Sequence, residues 1–367
     1  MKVVLVGLHF SLYCLTLTEA LRSDHTVAAF LPRANFLAEV GEPSPEFDVT
    51  LFEASKLRKP AFVLASLSSF SRLLKSMDPD VVHFQESGSA QCLALWTLAA
   101  RYPRVLTVHD ATNHPGRDSR MHLSFGGVRE RLRRSADGVI VHGQQIAKQM
   151  YTLDPTVSDR LHVVAHPAFR ARHVAAGASG DGDALEILLL GRMEAYKGVA
   201  IALEACERLR RRGLRIRLTL AGKGPELAGA PAGAEEWLRI VGGGLGPAAF
   251  ERSIASADAL LLPYIEGSAS GIIAFGLGMG KAMIASRVGA FGEYIEDGVS
   301  GLLIEPGSVA RLCAAIERLY HDRALLRNLA ATAGERGRGA FSPEETATQT
   351  TRIYALAANR RQMSRQS

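Results

Sequence analysis

The stretch EILLLGRMEAYKGVAIALEACERLRRR, residues 186–212, decides the fold. An apolar β run over 186–190 ends at Gly191, a cation follows at once as Arg192, and a second, Lys197, stands just before a helical pattern over 198–212. Strand, short turn and helix in that order are the repeating unit of a parallel α/β sheet. The same alternation runs outward in both directions. β runs fall at 3–8, 26–31, 81–84, 105–108, 139–141 and 163–165 on one side, and at 216–221, 238–241, 259–262, 282–286 and 301–304 on the other. Between the two sets, residues 170–183, ending in GASGDGD, are small, polar and turn-rich, as a linker is. A last helix starts after Ser342-Pro343, a cap followed by a first-turn proline. The expected fold is α/β with two doubly wound domains, over 1–172 and 185–342, a linker over 173–184 and a final helix with a basic tail over 343–367.

Length and composition agree. A chain of 367 residues with 47% hydrophobic and 22% charged residues is globular and fits two domains, and neither disorder nor a fibrous repeat is indicated. The N-terminal 23 residues place Lys2 before an apolar run, as a signal peptide does, but Gly7, His9, Ser11 and Glu19 interrupt it and no small-residue cleavage site follows. The expectation is a buried strand leading into a helix. Cys14, Cys92, Cys206 and Cys313 form no paired motif and read as small core residues in a reducing cytosol. The formal net charge of +6 is clustered, at Arg129 to Arg134, at Arg208 to Arg217 and at Arg360, Arg361 and Arg365. Two readings stay open: solvated helix faces, or attraction to an anionic membrane surface or polyanionic substrate. Nucleic acid is not expected, because no aromatic residues interleave with the arginines.

Three loops at the carboxyl ends of the second set of strands carry the chemistry. Arg192 and Lys197 flank a strand-to-helix junction where side-chain cations and free backbone N–H groups can meet one diphosphate. LTLAGKGPE, 218–226, closes a strand on Gly222 and Gly224, where backbone can approach a ligand closely. PYIEGSASGIIAFGLGMGKAMIAS, 263–286, sets Gly267, Ser268, Ala269, Ser270 and Gly271 before an apolar helix. Those residues leave their amides accessible, and the helix turns its positive end toward whatever lies there. Together the loops point to a nucleotide diphosphate.

These residues resemble the retaining glycosyltransferases of family 4, which have the GT-B fold of two facing Rossmann-like domains. GRMEAYKG is similar to the family's arginine-lysine diphosphate motif, AGKGPE to its glycine turn, and SADALLLPY to the strand before its donor loop. SRVGAFGEYIEDGVSGLLIEPGS, 286–308, resembles the family signature closely, and DPDVVHFQES, RVLTVHD, ADGVIVHG and VVAHP resemble it more weakly in the first half. The resemblance implies transfer of a sugar from a nucleotide-diphosphate sugar, UDP-, GDP- or ADP-linked, to a glycan or lipid-linked acceptor, as in exopolysaccharide or cell-surface glycan synthesis. It places the enzyme in the cytoplasm or at the inner face of the membrane, with the acceptor on the first domain and the last helix returning to that domain. It needs no metal or other cofactor.

By the same resemblance His109 lines the sugar site, Arg192 and Lys197 stabilise the leaving diphosphate, and Glu266 is a displaced candidate for the sugar contact. Donor binding falls to Gly191, Gly222, Gly267, Ser268, Ser270, Gly271 and the amide of Ile272. His83, His142 and His166 also close strands and read as structural. The departures carry weight. The family's paired donor-loop glutamates fall here on Gly267 and Phe275, or on Glu266 and Ala274, and neither Ala274 nor Phe275 can accept a ribose hydrogen bond. The glycine pair expected after the first strand is replaced by Gly7-Leu8-His9-Phe10-Ser11. A scaffold that binds a nucleotide sugar or a partner enzyme without turnover, or an epimerase or phosphorylase on the same fold, are the competing readings. Asp78-Pro79-Asp80 and Asp181-Gly182-Asp183 imitate metal-binding aspartate pairs of another transferase fold, but sit at a helix cap and in the linker.

Overall fold

The computed structural model describes residues 1–44, 48–54, 60–112, 126–174, 182–231 and 233–366. The chain forms two compact units, one of Met1–Pro167 with Pro343–Ser367 and one of Ala168–Ser342. In the first, β1 (Lys2–Val6), β2 (Thr26–Pro32), β3 (Val49–Phe52), β4 (Val81–Gln85), β5 (Arg104–Val108), β6 (Gly138–Val141) and β7 (Leu161–Val163) lie in the order β3-β2-β1-β4-β5-β6-β7. In the second, β8 (Leu185–Arg192), β9 (Ile216–Lys223), β10 (Leu238–Gly242), β11 (Ala259–Leu262), β12 (Ala282–Ser286) and β13 (Leu302–Ile304) lie in the order β10-β9-β8-β11-β12-β13. Every strand pairing is parallel.

Both sheets are therefore doubly wound. The chain steps outward from the first strand in one direction, then returns to its other side. Open sheets of this kind bind ligands beyond the strands' carboxyl ends where the direction reverses. Here those switch points are β1 beside β4 and β8 beside β11. Parallel strands covered on both faces need unbroken apolar runs. Val3, Val4, Leu5 and Val6 of β1 are all 0% exposed, each contributing about 1.5–3 kcal/mol relative to exposure.

Some boundaries differ from expectation. β3 pairs with β2 alone, and only one of its four residues is buried, so it carries no apolar run to announce it. β7 lies at 161–163 rather than 163–165. β8 and β9 run on in register through Gly191 with Gly222 and Arg192 with Lys223, so Arg192 closes a strand rather than opening a loop.

The first unit ends at Pro167, not at Arg172. Phe169 N–H donates to Ala274 O at 3.0 Å, and the amides of Arg172 and His173 donate to the Glu251 carboxylate at 2.9 and 2.7 Å, so this segment is tied into the second unit. Residues 175–181 of the expected linker, Asp181 among them, lie outside the described residues. Helix Pro343–Gln366 packs within the first unit, where Tyr354 is fully buried and its hydroxyl meets His83 Nδ1 at 2.8 Å. All four cysteines are free thiols and three of them are buried.

Candidate functional site

The switch point of the second sheet brings the three motif-bearing loops together. After β8 the chain turns through Gly198, held at φ 69°, and a Cβ there would stand 2.0 Å from the carbonyl oxygen of Pro263. No side chain fits, so the loops that follow β8 and β11 lie against each other. Ile265 N–H donates across them to Tyr196 O at 2.8 Å. Gly289, at φ 48°, lies as tightly on Gly267 and Ser268, and Ala290 N–H donates to Ser268 O at 2.8 Å.

Lys197 is the centre of this arrangement. It is only 6% exposed. Its ammonium donates to the Tyr264 hydroxyl at 2.5 Å and approaches Leu190 O at 3.5 Å, while lying 4.5 Å from the centre of the Tyr264 ring. No carboxylate stands within ion-pair distance of it among the described residues. The Tyr264 hydroxyl reaches Ser270 Oγ at 3.2 Å, and Ser270 Oγ accepts from Ile272 N–H at 3.3 Å, capping helix Gly271–Gly278. Lys197 and Ile272 each occupy an oxygen lone pair, so the Tyr264 proton can point to Ser270 and the Ser270 proton remains for an incoming acceptor.

The expected site residues fall as follows. Gly191, at φ 113°, leaves room for the lysine, since a Cβ there would stand 3.2 Å from Lys197 Nζ. Gly222, at φ 146°, lies against the neighbouring strand, where a Cβ would stand 1.8 Å from Gly191 O. The Ile272 amide is not available, being taken by Ser270. The amides of Ala269, Ser270 and Gly271 have no partner among the described residues. Gly267 and Gly271 have ordinary space around them, with nearest neighbours 3.5 and 3.8 Å from a built Cβ. Arg192 is exposed at the end of β8 and reaches Tyr196 Oη at 3.4 Å. Ser268 is half-buried and Glu266 exposed on the loop after β11. Phe275, in place of a carboxylate, is buried between Phe169 and Phe250 at ring distances of 5.1 and 5.0 Å. Tyr264 was not foreseen. Its only signal is its position, directly after Pro263 at the carboxyl end of a switch-point strand.

At the first sheet's switch point His109 ends the expected run after β5. It is 9% exposed, its Nε2 meets Gln85 Oε1 at 2.8 Å, and its ring stacks on Phe10 at 3.8 Å and 23°. Donation to the Gln85 carbonyl puts the proton on Nε2 and makes Nδ1 an acceptor. His142 and His166 lie 5.1 and 6.2 Å away. Burial, then the neighbouring histidines, pushes His109 well below the ordinary imidazole range, and burial holds His142 down to about 3 and His166 to about 4. His83, bonded to Thr107 and Tyr354, is likewise held to about 3. The cluster is uncharged at neutral pH.

The basic clusters are largely compensated. Arg133 makes a bidentate pair with the buried Glu86 at 2.5 and 2.8 Å, Arg129 lies 3.6 Å from the same carboxylate, and Arg134 meets Glu130 and Asp154. Arg208, Arg211, Arg212, Arg215 and Arg217 each pair with a carboxylate, and Arg360 with Asp159. Among the described residues no helix is long and apolar enough to cross a membrane, and no group of three or more His, Cys, Asp or Glu residues could hold a metal ion.

Twin doubly wound parallel sheets with a lysine and bare amides at one switch point define the GT-B class, and comparison with known proteins agrees. The family model described as Glycosyl transferases group 1 matches residues 184–322, and that described as Glycosyltransferase Family 4 matches residues 11–168. The chain belongs to this family of glycosyltransferases. It is 28% identical over 303 residues to the glycogen synthase of Mycobacterium tuberculosis H37Rv, covering 78% of this chain and 70% of that protein. It is 28% identical over 298 residues to the phosphatidyl-myo-inositol mannosyltransferase of Mycobacterium leprae, covering 79% and 77%. The crystal structure of Anabaena Alr3699/HepE in complex with UDP superposes with a TM-score of 0.68 at 17% identity, covering 97% of this chain and 100% of that one.

Proposed function

We propose that this protein transfers a hexosyl group from a nucleotide-diphosphate sugar to a hydroxyl of a glycan or lipid-linked acceptor, with retention at the anomeric carbon, in the cytoplasm. The observation that carries the reading is Lys197, a buried cation held by neutral groups alone, beside the three bare amides of Ala269, Ser270 and Gly271. A buried charge is costly unless an opposite charge meets it. A diphosphate supplies that charge, and UDP in the HepE complex supports the same chemistry here.

As the anomeric bond breaks, the diphosphate gains negative charge. Donors already aimed at that charge lower the barrier without reorganising. Lys197, Arg192, the Ser270 hydroxyl and the three amides fill this role. The departing phosphate oxygen takes the acceptor proton as the acceptor oxygen bonds to the anomeric carbon on the same face. No side-chain base is required. Neutral His109, with Nδ1 as acceptor, receives a sugar hydroxyl rather than delivering a proton.

The absence of a carboxylate at 274 or 275 favours one rival, a nucleotide-sugar binder without turnover. Incubation of the purified protein with UDP-, GDP- and ADP-sugars decides between them. Slow release of free sugar that Lys197→Ala abolishes establishes the transferase; binding with no release establishes the scaffold.

A further inference from the structure

Helix Gly271–Gly278, whose amino end carries the bare amide of Gly271, is weak by itself. It has eight residues, and three of them, Gly271, Gly276 and Gly278, are glycines, which loosen a helix. An isolated helix of that length does not hold in water. Its support comes from one residue of the segment that enters the second unit. Phe169 N–H donates to Ala274 O at 3.0 Å, and its carbonyl oxygen lies so close to Gly278 that no Cβ fits there. Its ring lies 5.1 Å from that of Phe275 and reaches to 3.8 Å from where a Cβ on Gly271 would stand. Positions 271, 274, 275 and 278 share one face of the helix. Phe169 therefore backs the element from its first residue to its last.

Phe169 is fixed in turn from the far end of the same segment. Glu251, on helix Pro247–Ser256, is 4% exposed and takes no part in the candidate site. Its carboxylate accepts from Arg172 N–H at 3.0 and 2.9 Å and from His173 N–H at 2.7 Å, and no cation among the described residues pairs with it. Burying a carboxylate without a cation is costly. Charge-assisted bonds from backbone amides offset that cost only while residues 172 and 173 stay in place. Phe250, next to Glu251 in the chain, sets its ring 5.0 Å from that of Phe275. Residues 168–173 are thus a clasp, locked at one end by Glu251 and bearing at the other on the helix of the bare amides.

We propose that Glu251 is a positioning residue for diphosphate binding: by clamping residues 172 and 173 it seats Phe169 on helix Gly271–Gly278, and so fixes the amides of Ala269, Ser270 and Gly271 where a diphosphate needs them. The inference rests on the donor reading of that site and adds to it a residue that touches no ligand. Coupling of this kind is reciprocal, so a diphosphate held on those amides tightens the clasp.

Amide hydrogen exchange on the full-length protein, with and without saturating UDP or GDP, reads the coupling directly. In the wild type the nucleotide is expected to slow exchange both in peptides covering 268–278 and in those covering 168–174. A clamp with a structural role alone would protect residues 168–174 equally in both conditions. Glu251→Ala is expected to lose the response at 168–174 and to bind UDP and GDP about fivefold or more weakly. Phe169→Leu, which leaves Glu251 intact but shortens the reach to Gly271, is expected to weaken binding by a similar factor. Should Glu251→Ala fail to fold, the wild-type exchange response and Phe169→Leu carry the test. Nucleotide that binds the wild type without slowing exchange at 168–174 overturns the proposal, as does wild-type nucleotide affinity in Glu251→Ala or Phe169→Leu. A wild type that binds neither UDP nor GDP overturns the donor reading itself, and this inference with it.

Discussion

The ammonium of Lys197 lies 2.5 Å from the Tyr264 hydroxyl, and that hydroxyl lies 3.2 Å from Ser270 Oγ. A cation after β8 and the cap of the helix after β11 are thus joined through one phenol. Removing that phenol oxygen alone, in Tyr264→Phe, keeps the ring over the lysine but cuts the connection. A hydrogen bond to a charged group is worth about 1.5–3 kcal/mol, so turnover of donor is expected to fall roughly tenfold to a hundredfold. Steady-state kinetics on donor hydrolysis measure it, and unchanged turnover would show that Lys197 is placed by the turn Ala195–Lys197 alone.

Lys197→Ala removes the buried charge and is expected to cost on the order of 10²–10³ in turnover. Arg192→Ala is expected to cost less, because Arg192 is exposed and its charge is screened by water. The ranking is read from single-turnover rates, with UDP-induced thermal stabilisation as the binding check. Equal losses would place the two cations in equivalent surroundings.

The glycines separate architecture from ligand contact. Gly222→Ala forces a Cβ to within 1.8 Å of Gly191 O, and a loss of at least about 1–3 kcal/mol in stability is expected in urea unfolding. Gly271→Ala meets nothing closer than 3.8 Å and should leave stability within about 0.5 kcal/mol while weakening nucleotide binding. Should Gly271→Ala bind UDP and GDP as tightly as the wild type, no phosphate lies over that amide.

Acid should unfold the first unit early. His83 and His142 are fully buried and held neutral down to about 3 by desolvation, whereas the same rings in the unfolded chain charge near 6.5. Between those values the unfolded chain binds protons that the folded chain refuses, so stability falls as pH falls. Each ring contributes about 1.4 kcal/mol per pH unit below that point. Melting temperature is therefore expected to hold level from pH 8 to 7 and to drop steeply between pH 6 and 4.5. His83→Gln, which carries no titrating group, should make the decline shallower; a level profile down to pH 4.5 would mean the rings charge without cost.

Most of the fold is legible because a parallel strand buried on both faces must be written as an unbroken apolar run, as Val3 to Val6 and Leu188 to Leu190 are. β3 is hidden because an edge strand needs no such run. In the site, Gly191, Lys197 and Ser270 can be found from their positions at strand ends and a helix start. Tyr264 cannot, since its link to Lys197 spans 67 positions and depends on how β8 and β11 lie side by side. Gly222 is visible as a glycine, yet its reason, the carbonyl of Gly191, is a matter of register. Phe10 opposes its own local preference, so propensity reads past it.

The first unit is discontinuous along the chain, whereas the second, from Ala168 to Ser342, is a single run. Tyr354, which fills the floor beneath His83, is synthesised after both sheets are complete. Met1–Pro167 must therefore wait for helix Pro343–Gln366 before its core closes, and the unit between them can reach its final state first.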